Sequence, residues 1–208
     1  DYDIDGVCAT YILLTGLKKI GANVDTVIPD RIKDGYGINE QLIDQAKRDG
    51  VQLIVTCDNG IAAGEAILLA NSYDMTVVVT DHHEVPFYMD ENGKRCYQLP
   101  PAYAVIDPKQ EACKYPFEGI CGALVSYKLV QALFKKKEKE LPKVFLEMAA
   151  FATICDVMEL RDENRIVVKK GLEYMKHTEN VGLKALLSVC EIHPETISPY
   201  HIGFVCGP

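Results

Sequence analysis

The sequence lacks any run of about 18 consecutive apolar residues, so it predicts no transmembrane helix and no membrane partner. We also expect no signal peptide, because the sequence opens on the acidic stretch Asp1-Tyr2-Asp3 rather than on a basic segment followed by an apolar one. We therefore expect a cytoplasmic protein. We also expect a fragment, because nothing that resembles a first strand precedes this acidic stretch.

Paired cysteines are missing too. There are eight cysteines, but no Cys-x-x-Cys pair, and their spacings match no zinc ribbon or zinc finger. Several lie inside apolar segments such as LIVTCD and FATICD. The pattern is typical of small buried thiols in a reducing compartment. A structural metal at Cys96, Cys113 and Cys121 is the alternative.

The chain has no excess of positive charge, since its formal net charge is −8 over 208 residues. On its own, that charge is a poor match to a polyanionic substrate. The sequence also has neither a Gly-x-Ser-x-Gly elbow nor a P-loop. Hydrolysis through a serine nucleophile and nucleoside triphosphate hydrolysis are therefore disfavoured.

The first 110 or so residues alternate β-rich apolar runs with segments of helical periodicity. Strands that alternate with helices across short loops favour a parallel sheet, so we predict an α/β fold with a parallel, doubly wound sheet. The segment from Glu84 to Pro101 is rich in turn residues and is predicted to be a loop. The predicted helices are 7–20, 39–48 and 62–70, and the predicted strands are 23–28, 52–56, 75–80 and 104–106.

From about Gly122 onward the β-rich runs stop, and only helical patterns remain. We predict that this part forms a C-terminal helical annex. Residues 1–120 would be the metal-binding sheet region, and residues 121–208 the helical part of the same domain. The predicted helices are 123–135, 142–156, 165–177 and 182–189.

Acidic residues alternate at the start of the chain, at Asp1, Asp3 and Asp5. In an extended segment, residues two apart face the same side, so these three carboxylates are expected to point into one pocket. Gly6 would then provide a tight turn into the first helix.

Further acidic and histidine residues follow predicted strands. Asp58 comes directly after the strand LIVT, and Asp81-His82-His83 follows TVVVT, while Asp156 ends the apolar helix AAFATIC. Open α/β sheets bind ligands at the carboxyl ends of their strands. Taken singly, each residue is an ordinary turn or cap residue. Together, such like charges repel unless cations hold them, and oxygen and imidazole ligands suit Mn²⁺ or Mg²⁺.

Four segments, DYDIDG, VTCDNGI, VTDHHE and FATICDVMEL, occur in that order. They resemble the four metal-binding motifs of the DHH phosphoesterases. The stretches PDRIKDGYGI, GICGALVSYKL and ELRDENRIVVKKGL resemble the branch of that family that degrades single-stranded DNA. The resemblance extends over the whole chain.

The resemblance implies a site that holds two ions, Mn²⁺ or Mg²⁺. Asp58 would bridge both, His83 would meet the scissile phosphate, and Asp81 would either ligate or orient a neighbouring histidine. Asp1 stands where many members carry His. The implied metal ligands are Asp3, Asp5, Asp58, Asp81, His82 and Asp156, and the implied catalytic residues are Asp58, His82, His83 and Asp156.

Two glycine-rich segments are candidate contacts with the substrate phosphates. Glycines let the backbone approach a phosphate closely, as at Gly35-Tyr36-Gly37, and a helix that begins near Gly122 would offer free N–H groups. Tyr36 is a candidate for stacking on a base. A plain turn and a plain helix cap are the alternatives.

The activity that the resemblance implies is 5′-to-3′ exonuclease activity on single-stranded DNA, with release of 5′-mononucleotides. It also implies a monomer, a following DHHA1-type domain that grips the substrate, and a single-strand-binding protein or helicase as partner of the full-length protein. The alternatives within the superfamily are an oligoribonuclease or pAp phosphatase, a cyclic-dinucleotide phosphodiesterase and a manganese pyrophosphatase. The alternative of another class is a non-catalytic replication scaffold.

Overall fold

The structure, a computed structural model, describes residues 1–33 and 35–208. The chain forms two compact units. We call Asp1–Tyr2 with Val27–Glu118 the sheet unit, and Asp3–Thr26 with Gly119–Pro208 the helical unit. The step from one to the other after Glu118 lies close to the predicted division at residue 120. Residues 3–26, however, group with the helical unit.

The sheet unit contains a three-stranded parallel sheet with strand order β1-β2-β5. The predicted α/β class with a parallel sheet is therefore confirmed. Helix α3 packs on α2 and on β2, around a core that includes the fully buried side chains of Ile43, Ile67, Val77 and Val79. The elements are α2 (Glu40–Arg48), β1 (Leu53–Cys57), α3 (Gly64–Ser72), β2 (Thr76–Thr80), β3 (Phe87–Met89), β4 (Arg95–Tyr97) and β5 (Ala104–Ile106).

The register of the sheet aligns the residues that follow its three strands. Cys57 pairs with Thr80, and Thr80 pairs with Ile106, so the strands end level with one another. The next residues along the chain are Asp58, Asp81 and Asp107. The backbone N–H of Asp58 donates to the Thr80 carbonyl and that of Asp81 to the Ile106 carbonyl, each at 3.0 Å. Three aspartates therefore lie side by side at the carboxyl edge of the sheet.

Two predictions for the β structure are wrong. Residues 23–28 form no strand, and Val27 and Ile28 are 64% and 41% exposed, so the apolar pattern there is not matched by burial or by ladder hydrogen bonds. The predicted loop at 84–101 contains the antiparallel hairpin β3–β4. Its strands have only three residues each, and the turn is held by Asp90, whose carboxylate accepts the Lys94 N–H at 2.8 Å.

The helical unit is built around α1, which packs on α4 and α5, while α5 packs on α6. This confirms the predicted helical annex. No helix in the described part of the chain is long and apolar enough to cross a membrane. The main helices are α1 (Ile4–Lys19), α4 (Gly122–Lys136), α5 (Lys143–Cys155), α6 (Asp162–Met175) and α7 (Val181–Val189), and short helical turns follow at Pro194–Thr196, Pro199–His201 and Ile202–Cys206.

Candidate metal centre

Asp58, His82 and His83 form a group of possible metal ligands within the sheet unit. One donor atom from each lies within 4.8 Å of the others. The Nε2 atom of His82 is 3.1 Å from Oδ1 of Asp58. Both side chains are buried, with Asp58 1% and His82 7% exposed. The edge of the sheet therefore holds a carboxylate and an imidazole at the distance that a shared cation requires.

A tight turn fixes the position of Asp58. Its φ angle is +60°, in the left-handed region that aspartate and asparagine tolerate better than most residues. The Thr56 hydroxyl donates to the Asn59 carbonyl at 2.7 Å, which closes the turn. Gly60 has a φ angle of +113°, and a Cβ atom there would lie 2.7 Å from Oγ1 of Thr56. Asp58-Asn59-Gly60 therefore forms a turn, and this turn also positions the candidate metal ligand Asp58.

Asp81 orients its histidine neighbours. Its Oδ1 is 2.7 Å from Nδ1 of His83 and accepts the His82 N–H at 2.8 Å, while Oδ2 accepts the Ile61 N–H at 2.9 Å. Burial works against the charged carboxylate, but the hydrogen bonds from His83 and Ile61 outweigh it and lower the pKa of Asp81. Protein donors thus contact both oxygens, and among the described residues no candidate metal group includes Asp81. Of the two roles predicted for Asp81, this geometry favours orientation of His83 over metal ligation.

Asp107 belongs to the same edge and was missed by the sequence analysis. It follows β5, is 2% exposed, and its Oδ1 accepts the Lys109 N–H at 2.8 Å. Burial, together with the nearby charge of Asp81, raises the pKa of Asp107 to about 6. The available signal was its position directly after the last predicted strand, 104–106, which is the pattern that singled out Asp58 and Asp81.

The Gly35-Tyr36-Gly37 segment lies beside this group. The Tyr36 hydroxyl donates to the Asp58 carbonyl at 3.3 Å and lies 3.2 Å from Nε2 of His83. The rings of Tyr36 and His83 meet edge to face, with centroids 5.9 Å apart. Gly35 and Gly37 have φ angles of +75° and +74°, which require glycine in practice. Residue 34 lies outside the described residues.

Asp1 also lies in the sheet unit, close to the end of β1. Its side chain is buried, and its backbone nitrogen is 3.5 Å from the Cys57 carbonyl. This residue therefore sits next to the segment that carries Asp58.

A second acidic group lies in the helical unit, where Asp3, Asp5 and Asp156 line one pocket together with Cys155 and Gly203. The predicted extended spacing of the first acidic residues is wrong, because α1 already begins at Ile4. Asp3 is its N-cap and accepts the Gly6 N–H at 2.9 Å, while Asp5 lies in the first helical turn. Asp156 is the C-cap residue of α5.

Asp5 uses both carboxylate oxygens to cap α4. Oδ2 accepts the Gly122 N–H at 2.7 Å, and Oδ1 accepts the Ala123 N–H at 2.8 Å. The prediction that this helix start offers free N–H groups to a phosphate is therefore contradicted. The helix N-terminus stabilises an anion, as expected, but the anion is a side chain of the same unit.

The thiols beside the acidic pocket are poor metal ligands. Burial raises the pKa of Cys155 to about 12, and it raises the pKa of the fully buried Cys121 well above that of an ordinary thiol. None of the eight cysteines forms a disulfide. In residues 1–33 and 35–208, no candidate metal group includes Cys96, Cys113 or Cys121. Carboxylate and imidazole donors without thiolate fit Mn²⁺ or Mg²⁺.

A sequence profile described as "DHH family, N-terminal domain" matches residues 1–153. The chain is 42% identical over 213 residues to the single-stranded-DNA-specific exonuclease RecJ of Bacillus subtilis, covering 100% of this chain and 25% of that protein. It is 33% identical over 221 residues to the RecJ of Salmonella typhimurium, covering 100% of this chain and 37% of that protein.

Solved structures give the same result. A crystal structure of exonuclease RecJ bound to manganese matches with a TM-score of 0.85 and 29% identity, over 100% of this chain and 50% of that one. RecJ from Thermus thermophilus in complex with Mn²⁺ matches with a TM-score of 0.79 and 27% identity, over 100% of this chain and 28% of that one.

The chain thus spans between 25% and 37% of the length of the two curated relatives. Its Asp81-His82-His83 triplet follows the second parallel strand, and the family profile covers most of its length. These findings confirm the resemblance seen in the sequence: the chain belongs to the DHH family.

Proposed function

We propose that this chain is the catalytic core of a metal-dependent phosphodiesterase that digests single-stranded DNA from 5′ to 3′ and releases 5′-mononucleotides. The observation that carries the proposal is the group formed by Asp58, His82 and His83 at the carboxyl edge of the sheet. The names of the relatives support the choice of substrate, since they are single-stranded-DNA-specific exonucleases. The manganese-bound structural neighbours support the choice of metal.

Each unit contributes its own candidate ligands to Mn²⁺ or Mg²⁺. Two divalent cations, when bound, supply positive charge that polarises a phosphate and makes water a better nucleophile near neutral pH. Cations also offset part of the negative charge that the chain carries around its acidic residues. The proposed ligands are Asp58 and His82 in the sheet unit and Asp3, Asp5 and Asp156 in the helical unit.

His83 is the proposed contact to the scissile phosphate. Asp81 holds Nδ1 of this ring at 2.7 Å, and the Tyr36 hydroxyl lies 3.4 Å from Nδ1 and 3.2 Å from Nε2. The His83 side chain is 44% exposed, so a substrate can reach it. With both nitrogens protonated, the ring donates Nδ1–H to Asp81 and Nε2–H to a phosphate oxygen, where it stabilises the charge that develops during hydrolysis.

Tyr36 is the proposed stacking platform for a base. The residue is 55% exposed, while its hydroxyl is anchored near Asp58 and His83. An anchored, exposed aromatic side chain is what single-strand binders use, because every base has a face on which to stack.

We include in the proposal a monomer in the cytoplasm and, for the longer protein, a single-strand-binding protein or a helicase as partner.

The test is the substitution Asp58→Asn. Asparagine tolerates the left-handed conformation at this position, so the turn is retained while the charge is lost. Hydrolysis of 5′-phosphorylated single-stranded DNA with Mn²⁺ is expected to fall more than about 100-fold, beyond the loss typical of residues that only support a ligand. Asp74→Asn is the matched control, because Asp74 is exposed and has a φ angle of 59°.

Retained hydrolysis in Asp58→Asn would contradict the metal role of Asp58. The substrate class is tested separately, by comparing rates on single-stranded DNA, on di- to pentaribonucleotides, on cyclic dinucleotides and on pyrophosphate. If one of the other substrates is hydrolysed fastest, the proposed exonuclease activity is wrong. The chain is then the enzyme of the superfamily that acts on that substrate. Absence of saturable Mn²⁺ binding in a calorimetric titration would favour the non-catalytic scaffold.

A further inference from the structure

One end of the helical unit carries a group of exposed lysines. Helices α1 and α4 run side by side in the same direction: at their first turns, Asp5 accepts the Gly122 N–H at 2.7 Å. Beyond their last turns, the Lys139 ammonium group donates to the Lys19 carbonyl at 2.6 Å. Since the 16 residues of α1 rise about 1.5 Å each, this end lies about 24 Å from the acidic pocket at the start of the helix. The exposed lysines at this end are Lys18, Lys19, Lys135, Lys136, Lys137 and Lys139.

Hydrogen-bonded turns fix the backbone that carries these lysines. Past the end of α4, the Glu138 N–H donates to the Lys135 carbonyl at 3.2 Å. The Lys139 N–H donates to the Phe134 carbonyl at 3.0 Å, which completes a Schellman motif. Glu138 has the left-handed φ angle of 54° that this motif requires, and α1 ends in the same motif with Gly21 at the left-handed position. The lysines therefore project from ordered turns and not from a flexible charged run.

Two further lysines come from α5 and α6. Lys143 is the first residue of α5, which follows α4 after a short connection, and Lys170 lies on α6. Both are exposed, and their ammonium groups lie 5.3 and 5.8 Å from the ring centroid of Tyr174. Because α5 packs on α4 and on α6, four helices contribute lysines to this part of the unit. We call these two residues and the six above the lysine end.

Structural roles account for only part of the lysine end. Lysines in the last turns of α1 and α4 complement the negative ends of those helix dipoles. Lys143, however, lies at the start of α5, where the dipole disfavours a cation, and the next residues, 144–146, are apolar. Within the part of the chain that the structure describes, none of the eight lysines forms an ion pair with a carboxylate.

The charge of the lysine end favours an anionic partner. Residues 18–19, 135–143 and 170 contain eight lysines and two glutamates, Glu138 and Glu140, whereas the chain as a whole has a net charge of −8. Like charges at this density repel one another, and a bound polyanion relieves that repulsion. Ammonium groups are also common phosphate ligands, which they bind as point charges.

We propose that the lysine end binds the phosphate backbone of a nucleic acid strand, at a second site about 24 Å from the acidic pocket. The inference rests on the proposed function and deepens it, because the substrate proposed above is a polyanion long enough to reach both sites. The lysine end holds the part of the strand that lies beyond the nucleotide being hydrolysed. Since the ammonium groups contact phosphates and not base edges, this binding is independent of base sequence and depends strongly on salt.

The test compares two double variants that have the same net charge. Lys19→Gln/Lys136→Gln changes the lysine end, and Lys114→Gln/Lys184→Gln changes two exposed lysines elsewhere. Glutamine has a helix propensity close to that of lysine, so both variants are expected to fold. Fluorescence anisotropy measures the binding of a labelled single strand of about 20 nucleotides at several salt concentrations, with a chelator that prevents hydrolysis.

The Lys19→Gln/Lys136→Gln variant is expected to bind the strand about 10-fold more weakly than the control variant at low salt. The slope of log affinity against log salt is expected to become shallower by about 1.4, because each lost phosphate contact of a single strand contributes about 0.7. Equal affinities and slopes in the two variants would overturn the inference. Tighter binding of poly-glutamate than of the oligonucleotide by the unaltered chain would also overturn it, and would make the partner an acidic protein.

Hydrolysis separates this inference from the proposed function. A dinucleotide is too short to span about 24 Å, so its hydrolysis with Mn²⁺ is expected to be the same in the unaltered chain and in both variants. For the longer strand, KM is expected to rise in Lys19→Gln/Lys136→Gln alone. An equal loss of activity on both substrates in that variant would mean that the lysines act through the metal centre, and the second site would be wrong. Absence of hydrolysis of either substrate by the unaltered chain would instead contradict the proposed function, and the binding experiment would still decide the role of the lysine end.

Discussion

The carboxylate of Asp5 accepts the N–H of Gly122 at 2.7 Å, although the two residues are 117 positions apart in the chain. Its second oxygen accepts the Ala123 N–H at 2.8 Å. One side chain in the first turn of α1 therefore caps α4. Asp5 combines this structural role with its proposed role as a ligand, whereas Asp3, in the same pocket, caps only its own helix.

The first prediction compares Asp5→Asn with Asp3→Asn. Asn at position 5 can accept only one of the two N–H groups, and loss of a charged hydrogen bond in a buried site is expected to lower the free energy of unfolding by about 1.5–3 kcal/mol. Asn at position 3 remains a good N-cap, so a change within about 0.5 kcal/mol is expected. Urea denaturation with a chelator measures both values. If Asp5→Asn and Asp3→Asn lower the free energy of unfolding equally, the capping of α4 by Asp5 is contradicted.

The second prediction concerns Asp81→Asn. The pKa of Asp81 is lowered in the folded chain, so the charged form stabilises the fold above its unfolded pKa, near 3.8, and this contribution is lost as the pH falls through the folded value. Asp81→Asn is expected to cost about 1.5–3 kcal/mol of unfolding free energy at pH 7 and much less at pH 3. Denaturant titrations at the two pH values test this. If the substitution lowers the free energy of unfolding by the same amount at both pH values, the ionised carboxylate is not the source of the stability.

The third prediction follows from the opposite shift at Asp107. Burial raises its pKa from 3.8 to about 6, so between these values the folded chain binds more protons than the unfolded chain. The contribution of this group to stability is therefore greatest at low pH and falls as the pH rises through about 6. The thermal midpoints of Asp107→Asn and of the unaltered chain are compared at pH 4.5 and pH 7.5 with chelator present. Because asparagine does not titrate, the midpoint of the variant minus that of the unaltered chain is expected to be larger at pH 7.5 than at pH 4.5. If the difference in thermal midpoint between the two proteins is the same at both pH values, the raised pKa of Asp107 is contradicted.

The fourth prediction tests the close packing of α5 on α6. A Cβ atom on Gly171 would lie 2.2 Å from Cβ of Ala150 and 3.1 Å from the Leu146 carbonyl oxygen. Gly171→Ala is therefore expected to lower the free energy of unfolding by about 1–3 kcal/mol, although alanine favours helix. Gly64→Ala is the control, since a Cβ atom there would meet nothing within 4 Å, and it is expected to stabilise by about 0.4–1 kcal/mol. Stabilisation by both substitutions would contradict the packing at Gly171.

Local patterns in the sequence were sufficient for most of the secondary structure. Helical periodicity and caps predicted helices close to α2, α4 and α6, and apolar runs predicted β1, β2 and β5. These signals are local, because they report which face of a short segment is buried. The prediction failed at residues 23–28, where an apolar run has no strand partner, and at the β3–β4 hairpin, whose strands have three residues each and so carry almost no periodicity.

The sequence by itself determined that acidic and histidine side chains follow parallel strands, because a residue's place after a strand is a matter of chain order. Only the tertiary structure decided how those side chains are used. The strand register adds Asp107 to the row of Asp58 and Asp81, and packing brings the start of α4 to Asp5. Such contacts join residues far apart in the chain, and their geometry depends on register and packing that no local pattern encodes.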